Sequence, residues 1–231
     1  MINSNYTFDS FIGDNRLKKY FKERASDIMP NICPIFIYGQ TSSGKTHIAQ
    51  AIYNRFNNLN SEMFIKYMPM QLFLNDCIDA VVNNNEKHFV DSFKNIDLLI
   101  IDDIHLLERK EISQKCLGKI VDVLILSNKL LVFTSLLDPK QLTDFNQQIR
   151  SQLLSGLVIE LTNPNLESKI TILQVKALDI GLDISVDLLK IICERTDLDL
   201  RVLGGIIKTI KYNSQTHKLD EKLISKILSR Y

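Results

Sequence analysis

The chain has 231 residues, 45% of them hydrophobic and 24% charged, enough to bury a sizeable core in one large domain or in a core with a small satellite. Lys and Arg number 28 against 27 Asp and Glu, a net charge of +1, which excludes a global field that would hold a polyanion nonspecifically. No apolar run approaches the roughly 18 residues of a membrane span, and MINSNYTFDS lacks the basic and apolar parts of a signal peptide, so the expectation is a cytoplasmic protein with no membrane partner.

Pro34 to Tyr38 reads as a strand, and Ile37 to His47 continues as IYGQTSSGKTH. This satisfies G-x-x-x-x-G-K-[ST] with Gly39, Gly44, Lys45 and Thr46, and a helical pattern from His47 to Phe56 follows, which is the context a phosphate-binding loop requires. A phosphate chain concentrates negative charge and needs unobstructed backbone N–H groups, a helix N-terminus and a cation. Gly39 and Gly44 let the backbone curl around it, Gln40, Thr41, Ser42 and Ser43 fill the loop, Lys45 is the cation, Thr46 offers its hydroxyl to Mg²⁺, and His47 follows directly. Met63 to Met68 is the second strand. Met70 to Asn95 carries two helical patterns, QLFLNDCIDAVVNN and EKHFVDSFKN, long for a plain crossover, with the asparagines 83–85 in an exposed turn.

The third strand, Asp97 to Ile101, lies in IDLLIIDDIH (Ile96 to His105) and runs into two carboxylates. Asp102 is the candidate to sit beside the magnesium, and Asp103 to face the γ-phosphate and orient a water. Leu130 to Ser135 and Leu157 to Leu161 complete five candidate strands, alternating with helical patterns in most gaps. That alternation specifies an α/β fold with a parallel sheet covered by helices. Thr162-Asn163-Pro164-Asn165 is a turn or linker, and beyond it every apolar residue falls on helical spacing: Leu166 to Leu178, Val186 to Arg195, Leu200 to Tyr212 and Lys218 to Leu228, with breaks at Gly181 and at Thr196 to Asp199. The expected organisation is a nucleotide-binding core over residues 1–161 and a helical lid over 162–231. Cys33, Cys77, Cys116 and Cys193 lack metal-ligand spacing and read as buried free thiols, and the four histidines are scattered.

A P-loop sheet followed by a small helical lid is the layout of AAA+ proteins, and the chain resembles the AAA+ region of the bacterial replication initiator DnaA and its shorter relative Hda. The resemblance runs through NYTFDSFIGDNR (5–16), PIFIYGQTSSGKTHIAQAI (34–52), IDLLIIDDIHLL (96–107), LLVFTS (130–135) and LDLRVLGGII (198–207). It implies ATP or ADP with Mg²⁺ as ligand, Phe11 and Ile12 near the adenine, Arg201 as the lid arginine against the phosphates, and DnaA as a partner. Departures limit it. The arginine that would reach a neighbouring subunit's ATP aligns with Gln152 in QIRSQLLSGL, with Arg150 two residues earlier, and Leu136 stands where the family has a polar or acidic residue. Arginine fingers are worth about 10³ to 10⁵ in rate, so at most slow ATP hydrolysis is expected from a homo-oligomer.

DnaA carries a helix-turn-helix domain after its lid whereas this chain stops at Tyr231, so sequence-specific duplex binding is expected to be missing. The two-helix segment at residues 70–95 is DnaA-like, where it supplies a single-strand DNA contact, yet here Lys87 and Lys94 face Asp76, Asp79, Glu86 and Asp91, so weak or no single-strand binding is expected. Gln141 to Phe145 faintly resembles the peptide by which Hda docks on the sliding clamp, and a plain loop is the better reading. The expectation is an ATP- or ADP-binding regulator of chromosomal replication initiation that docks on DnaA. The alternatives are a minimal or truncated initiator core that assembles on ATP and touches single-stranded DNA, and an interaction module with a vestigial P-loop.

Overall fold

Five short runs rich in Ile, Leu, Val and Phe pair through their backbones as β1 (Ile35–Tyr38), β2 (Ile65–Pro69), β3 (Leu98–Asp102), β4 (Leu130–Ser135) and β5 (Leu157–Glu160). The structure is a computed structural model describing residues 2–13, 18, 19, 21, 32–196 and 198–231. All pairings are parallel, and the strand order is β2-β3-β4-β1-β5. Parallel neighbours need crossovers on the sheet faces, which α1 (Lys45–Leu59), α2 (Met70–Val82), α3 (Glu86–Asp91), α4 (Glu111–Leu126) and α5 (Gln147–Leu154) supply. The α/β fold with a five-stranded parallel sheet is as the sequence specifies.

Alternate strand residues face opposite sides, and the two sides have different cores. Ile35, Ile37, Leu98, Ile100, Leu130 and Val132 pack with Ile48, Ala49 and Ile52 of α1. The intervening Phe36, Leu99, Ile101, Leu131 and Phe133 pack with Phe73 and Leu74 of α2 and Leu117 and Ile120 of α4. The same alternation carries Asp102 and Thr134, the next residues of their kind along β3 and β4, to the α1 side at the C-terminal ends of the strands, where open α/β sheets hold ligands.

The chain divides into two compact units, residues 1–162 and 163–231. In the second, α6 (Leu166–Asp179), α7 (Val186–Glu194), α8 (Leu200–Asn213) and α9 (Glu221–Leu228) enclose their own core of Leu173, Leu189, Leu203, Ile206 and Ile224. Gly181, at φ 66°, ends α6, its N–H bonding to Leu178 O and the next N–H to Ala177 O. The last helix starts at Glu221 rather than Lys218, because the Asp220 carboxylate accepts from Leu223 N and sets the boundary. Of the break expected at Thr196 to Asp199, Asp197 lies outside the described residues.

α1 begins at Lys45, two residues earlier than its apolar periodicity suggests, since the helix grows directly out of the glycine loop. The segment 70–95 forms two helices as expected, joined by exposed Asn83, Asn84 and Asn85, with Asn84 left-handed at φ 52°. Cys77, Cys116 and Cys193 are buried free thiols, and burial pushes the Cys116 thiol up to about 12. Cys33, just ahead of β1, is only partly buried. Among the described residues no helix is long and apolar enough to cross a membrane.

Candidate functional site

β1 ends at Tyr38, and the chain turns through residues 39–44 into α1. Gly39 N donates to Ser135 O at 3.2 Å, and a Cβ on Gly39 would lie 2.2 Å from Leu161 O, so only glycine fits there. Ser42 is left-handed at φ 66° and Gly44 at φ 97°. Gly44 precedes α1 with no side-chain cap, and the first turn holds no acidic residue, leaving the helix N-terminus available to an anion. The buried Lys45 Nζ donates to Gly39 O at 2.7 Å and Gln40 O at 2.8 Å, curling back over the loop. The hydroxyls of Ser42 and Ser43 are buried with no hydrogen-bond partner, an expensive condition for a polar group. Gln40 is exposed, while Thr41 and Thr46 are half-buried. Orphan hydroxyls, a bare helix start and a tethered ammonium together fit a phosphate chain.

The adjacent carboxylates have different surroundings. Asp102 is the last residue of β3, opposite Pro69 of β2 and only 5% exposed. Its Oδ2 accepts from the Tyr67 hydroxyl at 2.6 Å, and its Oδ1 accepts from the Thr134 hydroxyl. A carboxylate offers about four lone-pair sites, so each oxygen retains acceptor capacity. Asp103 turns left-handed at φ 63°, donates its N–H to Thr134 Oγ1 at 2.8 Å, and leaves its side chain 43% exposed, 4.0 Å from His105 Nδ1. Burial holds His105 below the usual imidazole range, against the upward pull of Asp103. Among the described residues no three His, Cys, Asp or Glu side chains gather as a metal cluster. Mg²⁺ needs no such cluster, since it takes one or two protein oxygens and completes its shell with water and phosphate, and the spare acceptor capacity of Asp102 is of that chemistry.

Residues 2–13 form a strap docked on one face of α1, along the positions 47, 50 and 54 that helical spacing aligns. His47 Nε2 meets Thr7 O at 2.9 Å and Ser10 Oγ at 3.3 Å. Gln50 Oε1 accepts from Asn3 N at 2.8 Å, and Asn54 Nδ2 donates to Asn3 O and Tyr6 O at 3.0 and 2.8 Å. The His47 ring stacks on Tyr6 at 4.5 Å and meets the edge of Phe11 at 5.4 Å. Burial lowers its pKa against the raising effect of the Thr7 carbonyl bond. His47 thus serves the strap, a role that its position after Thr46 does not advertise. Phe11 is buried against the loop, since a Cβ on Gly44 would come 2.7 Å from its Cε2, and Ile12 beside it is half-buried. Residues 14–16, the end of the opening NYTFDSFIGDNR, lie outside the described residues.

Arg201 belongs to the second unit, exposed in the first turn of α8, where its N–H donates to the capping Asp199 Oδ1 at 2.7 Å. In the first unit, the Gln152 amide donates to Asp122 Oδ1 of α4, and Gln148 Nε2 donates to Asp122 Oδ2 at 3.0 Å. Leu136 is exposed, its N–H donating to His105 Nδ1 at 3.3 Å. Sequence reading missed Tyr67 and Thr134 as partners of Asp102, and Gln50 as a partner of Tyr67. The available signal was weak: a Thr-Ser ending to an otherwise apolar strand, and a Tyr two residues before the end of another.

Residues 2–160 match the model of the bacterial DnaA ATPase domain. The chromosomal replication initiator protein DnaA of Borrelia turicatae is 30% identical over 228 residues, covering 96% of this chain and 47% of that protein. The chain thus spans about half the length of the curated relatives it matches. Domain III of the Thermotoga maritima replication initiation protein DnaA superposes with a TM-score of 0.90 at 27% identity, over 100% of this chain and 98% of that one. AMPPCP-bound DnaA from Aquifex aeolicus gives 0.79 at 27% identity, over 91% and 66%.

Proposed function

The chain belongs to the bacterial DnaA ATPase-domain family, and on that premise we propose that it binds ATP or ADP with Mg²⁺ and regulates chromosomal replication initiation by docking on DnaA, with little turnover of its own. The binding half of the reading rests on the loop. Its orphan Ser42 and Ser43 hydroxyls gain acceptors from a phosphate chain, and Lys45 exchanges the carbonyls of Gly39 and Gln40 for charged oxygens, a stronger hydrogen bond. Magnesium, when bound, neutralises phosphate charge, and Thr46 and Asp102 are the residues to hold it and its water. Phe11, packed against the loop, and Ile12 beside it are assigned to the base. Asp103, partly exposed on its turn, is the residue assigned to orient a water.

The single observation that carries the low-turnover half is the Gln152 amide held by Asp122. A neutral side chain, fastened to its own α4, stands where the resemblance puts an arginine for the neighbouring subunit. An assembly of identical chains then brings no guanidinium to the γ-phosphate, and the module holds nucleotide as a state to be read by a partner. A vestigial loop fits less well with the intact Lys45, Thr46, Asp102 and Asp103. A single-strand DNA role finds little basic surface on the 70–95 segment, where Lys94 is paired with Asp91 at 2.6 Å and Glu86 has Lys119 at 3.9 Å.

The test mixes the purified chain with full-length DnaA, with and without ATP, and follows co-elution and phosphate release. The expected result is nucleotide-dependent co-elution with turnover far below about 1 s⁻¹, the low end for ordinary enzymes. Brisk hydrolysis by the chain alone, with no association with DnaA, would overturn the reading. Gln152→Arg by itself creates an ion pair with Asp122, so the variant that restores a free finger is Gln152→Arg with Asp122→Asn. It is expected to speed hydrolysis toward the 10³-fold or more typical of fingers, if copies pack head to tail.

A further inference from the structure

Two hydrogen-bond relays end on the Asp102 carboxylate, and in both every donor points toward it. In the first, Asn3 N donates to Gln50 Oε1 at 2.8 Å, Gln50 Nε2 to the Tyr67 hydroxyl at 3.4 Å, and that hydroxyl to Asp102 Oδ2 at 2.6 Å. In the second, Asp103 N donates to Thr134 Oγ1 at 2.8 Å, and the Thr134 hydroxyl to Asp102 Oδ1. Each hydroxyl thus accepts one bond and donates one, and bonds aligned this way polarise one another in a low-dielectric interior. Gln50 and Asp102 are each 5% exposed, and Thr134 is fully buried, so water competes poorly with these partners.

We propose that Tyr67 is a positioning residue for the Asp102 carboxylate, and that Gln50 makes the seating of the N-terminal strap an input to that position. The proposal rests on the reading that Asp102 serves nucleotide-bound Mg²⁺. One oxygen is held through the strap and the other through the turn after β3. The torsion of the carboxylate, and so the direction of its remaining lone pairs, is set by both. A strap seated over a base would sharpen the Mg²⁺ site, and a strap lifted from α1 would release one of its two restraints.

The experiment measures affinity for a fluorescent adenine nucleotide in EDTA and across an Mg²⁺ titration, for wild type, Tyr67→Phe, Gln50→Met and the double variant. Thermal unfolding of each nucleotide-free protein checks that it folds. Outer-shell partners of metal sites are worth about 10- to 100-fold, so Tyr67→Phe is expected to raise the Mg²⁺ midpoint about tenfold while moving the EDTA affinity less than about twofold. Gln50→Met is expected to shift the midpoint the same way by less, and the double variant no further than Tyr67→Phe alone, because the two residues act in series. A Tyr67→Phe titration that overlays wild type overturns the positioning role. Shifts that add overturn the relay through Gln50. Wild type that binds nucleotide without any response to Mg²⁺ overturns the proposal but leaves nucleotide binding standing, and wild type that binds no nucleotide overturns the functional reading beneath both.

Discussion

The two units obey different rules at their helix ends. In the helical unit all four helices begin with a side-chain cap, from Asn165, Ser185, Asp199 and Asp220. Among the described residues of the sheet unit α1, α2, α3 and α4 have none, while α5 is capped by Asn146 and the short 3-10 turn Pro139–Gln141 by Asp138. Backbone strain divides the same way. Among the described residues every non-glycine at positive φ lies in the sheet unit, at Ser42, Asn84, Asp103, Arg109 and Asn128. Two of these five flank the site. The helical unit spends its polar side chains satisfying its own backbone, whereas the sheet unit leaves a helix start bare and two loop hydroxyls unpaired where a ligand would satisfy them. Local stability has been given up at the loop, and the difference shows where to look for binding without any appeal to cavities.

The largest expected effect breaks the sheet unit's side of the comparison. Lys45→Ala removes the ammonium that the bare helix start needs beside it, and hydrogen bonds to charged groups are worth about 1.5 to 3 kcal/mol each, so nucleotide affinity is expected to fall by about 100-fold or more. Calorimetry giving equal affinity for wild type and variant would remove the loop from the function.

Glycine substitutions sharpen the contrast. Gly39→Ala drives a Cβ to 2.2 Å from Leu161 O, and such overpacking costs about 1 to 3 kcal/mol in urea unfolding. Gly205→Ala, inside α8 with nothing within 4 Å, is expected to stabilise by about 0.5 to 1 kcal/mol, as alanine does in a helix interior. Opposite signs support a split between functional and incidental glycines. Equal destabilisation by both would dissolve it.

The smallest effect concerns a cap. Asp199 accepts from Arg201 N at 2.7 Å and Val202 N at 3.1 Å, so Asp199→Ala is expected to cost about 1 kcal/mol at neutral pH. Those N–H bonds, Val202's foremost, hold its carboxyl below the usual carboxylate range. A depressed folded-state pKa contributes stability above the unfolded value of about 3.9 and loses it as the pH falls through the folded value. The gap between wild type and variant should therefore close in acid. A gap that persists unchanged at pH 2 would mean that Asp199 acts through packing and not through its charge.

Much of this was legible along the chain because the signals are local. The P-loop spacing fits a strand, a glycine turn and a helix start; an apolar run ending in Asp-Asp marks a buried strand reaching the sheet's C-terminal edge; and apolar spacing alone sets the change from strands to helices after Leu161. The helical unit's first three boundaries came within a residue or two for the same reason, and the fourth was off by three where Asp220 caps. Asp102 and Asp103 are given different roles along the chain, but their surroundings are not legible there, and only the turn at φ 63° separates a buried carboxylate held by two hydroxyls from a partly exposed one.

The sequence by itself determined the strands, the glycine loop and the helices of the second unit, since each follows from spacing within one element. Tertiary structure alone decided which polar side chains share Asp102. The register that sets Pro69 opposite Asp102 puts Tyr67, two residues earlier on the same face, under the carboxylate, and the β3–β4 pairing brings in Thr134. These partners lie 35 and 32 residues from Asp102 along the chain. Nothing in the period of a strand specifies which strand it pairs with or in what register; the packing of the two sheet faces against α1 on one side and α2 and α4 on the other does.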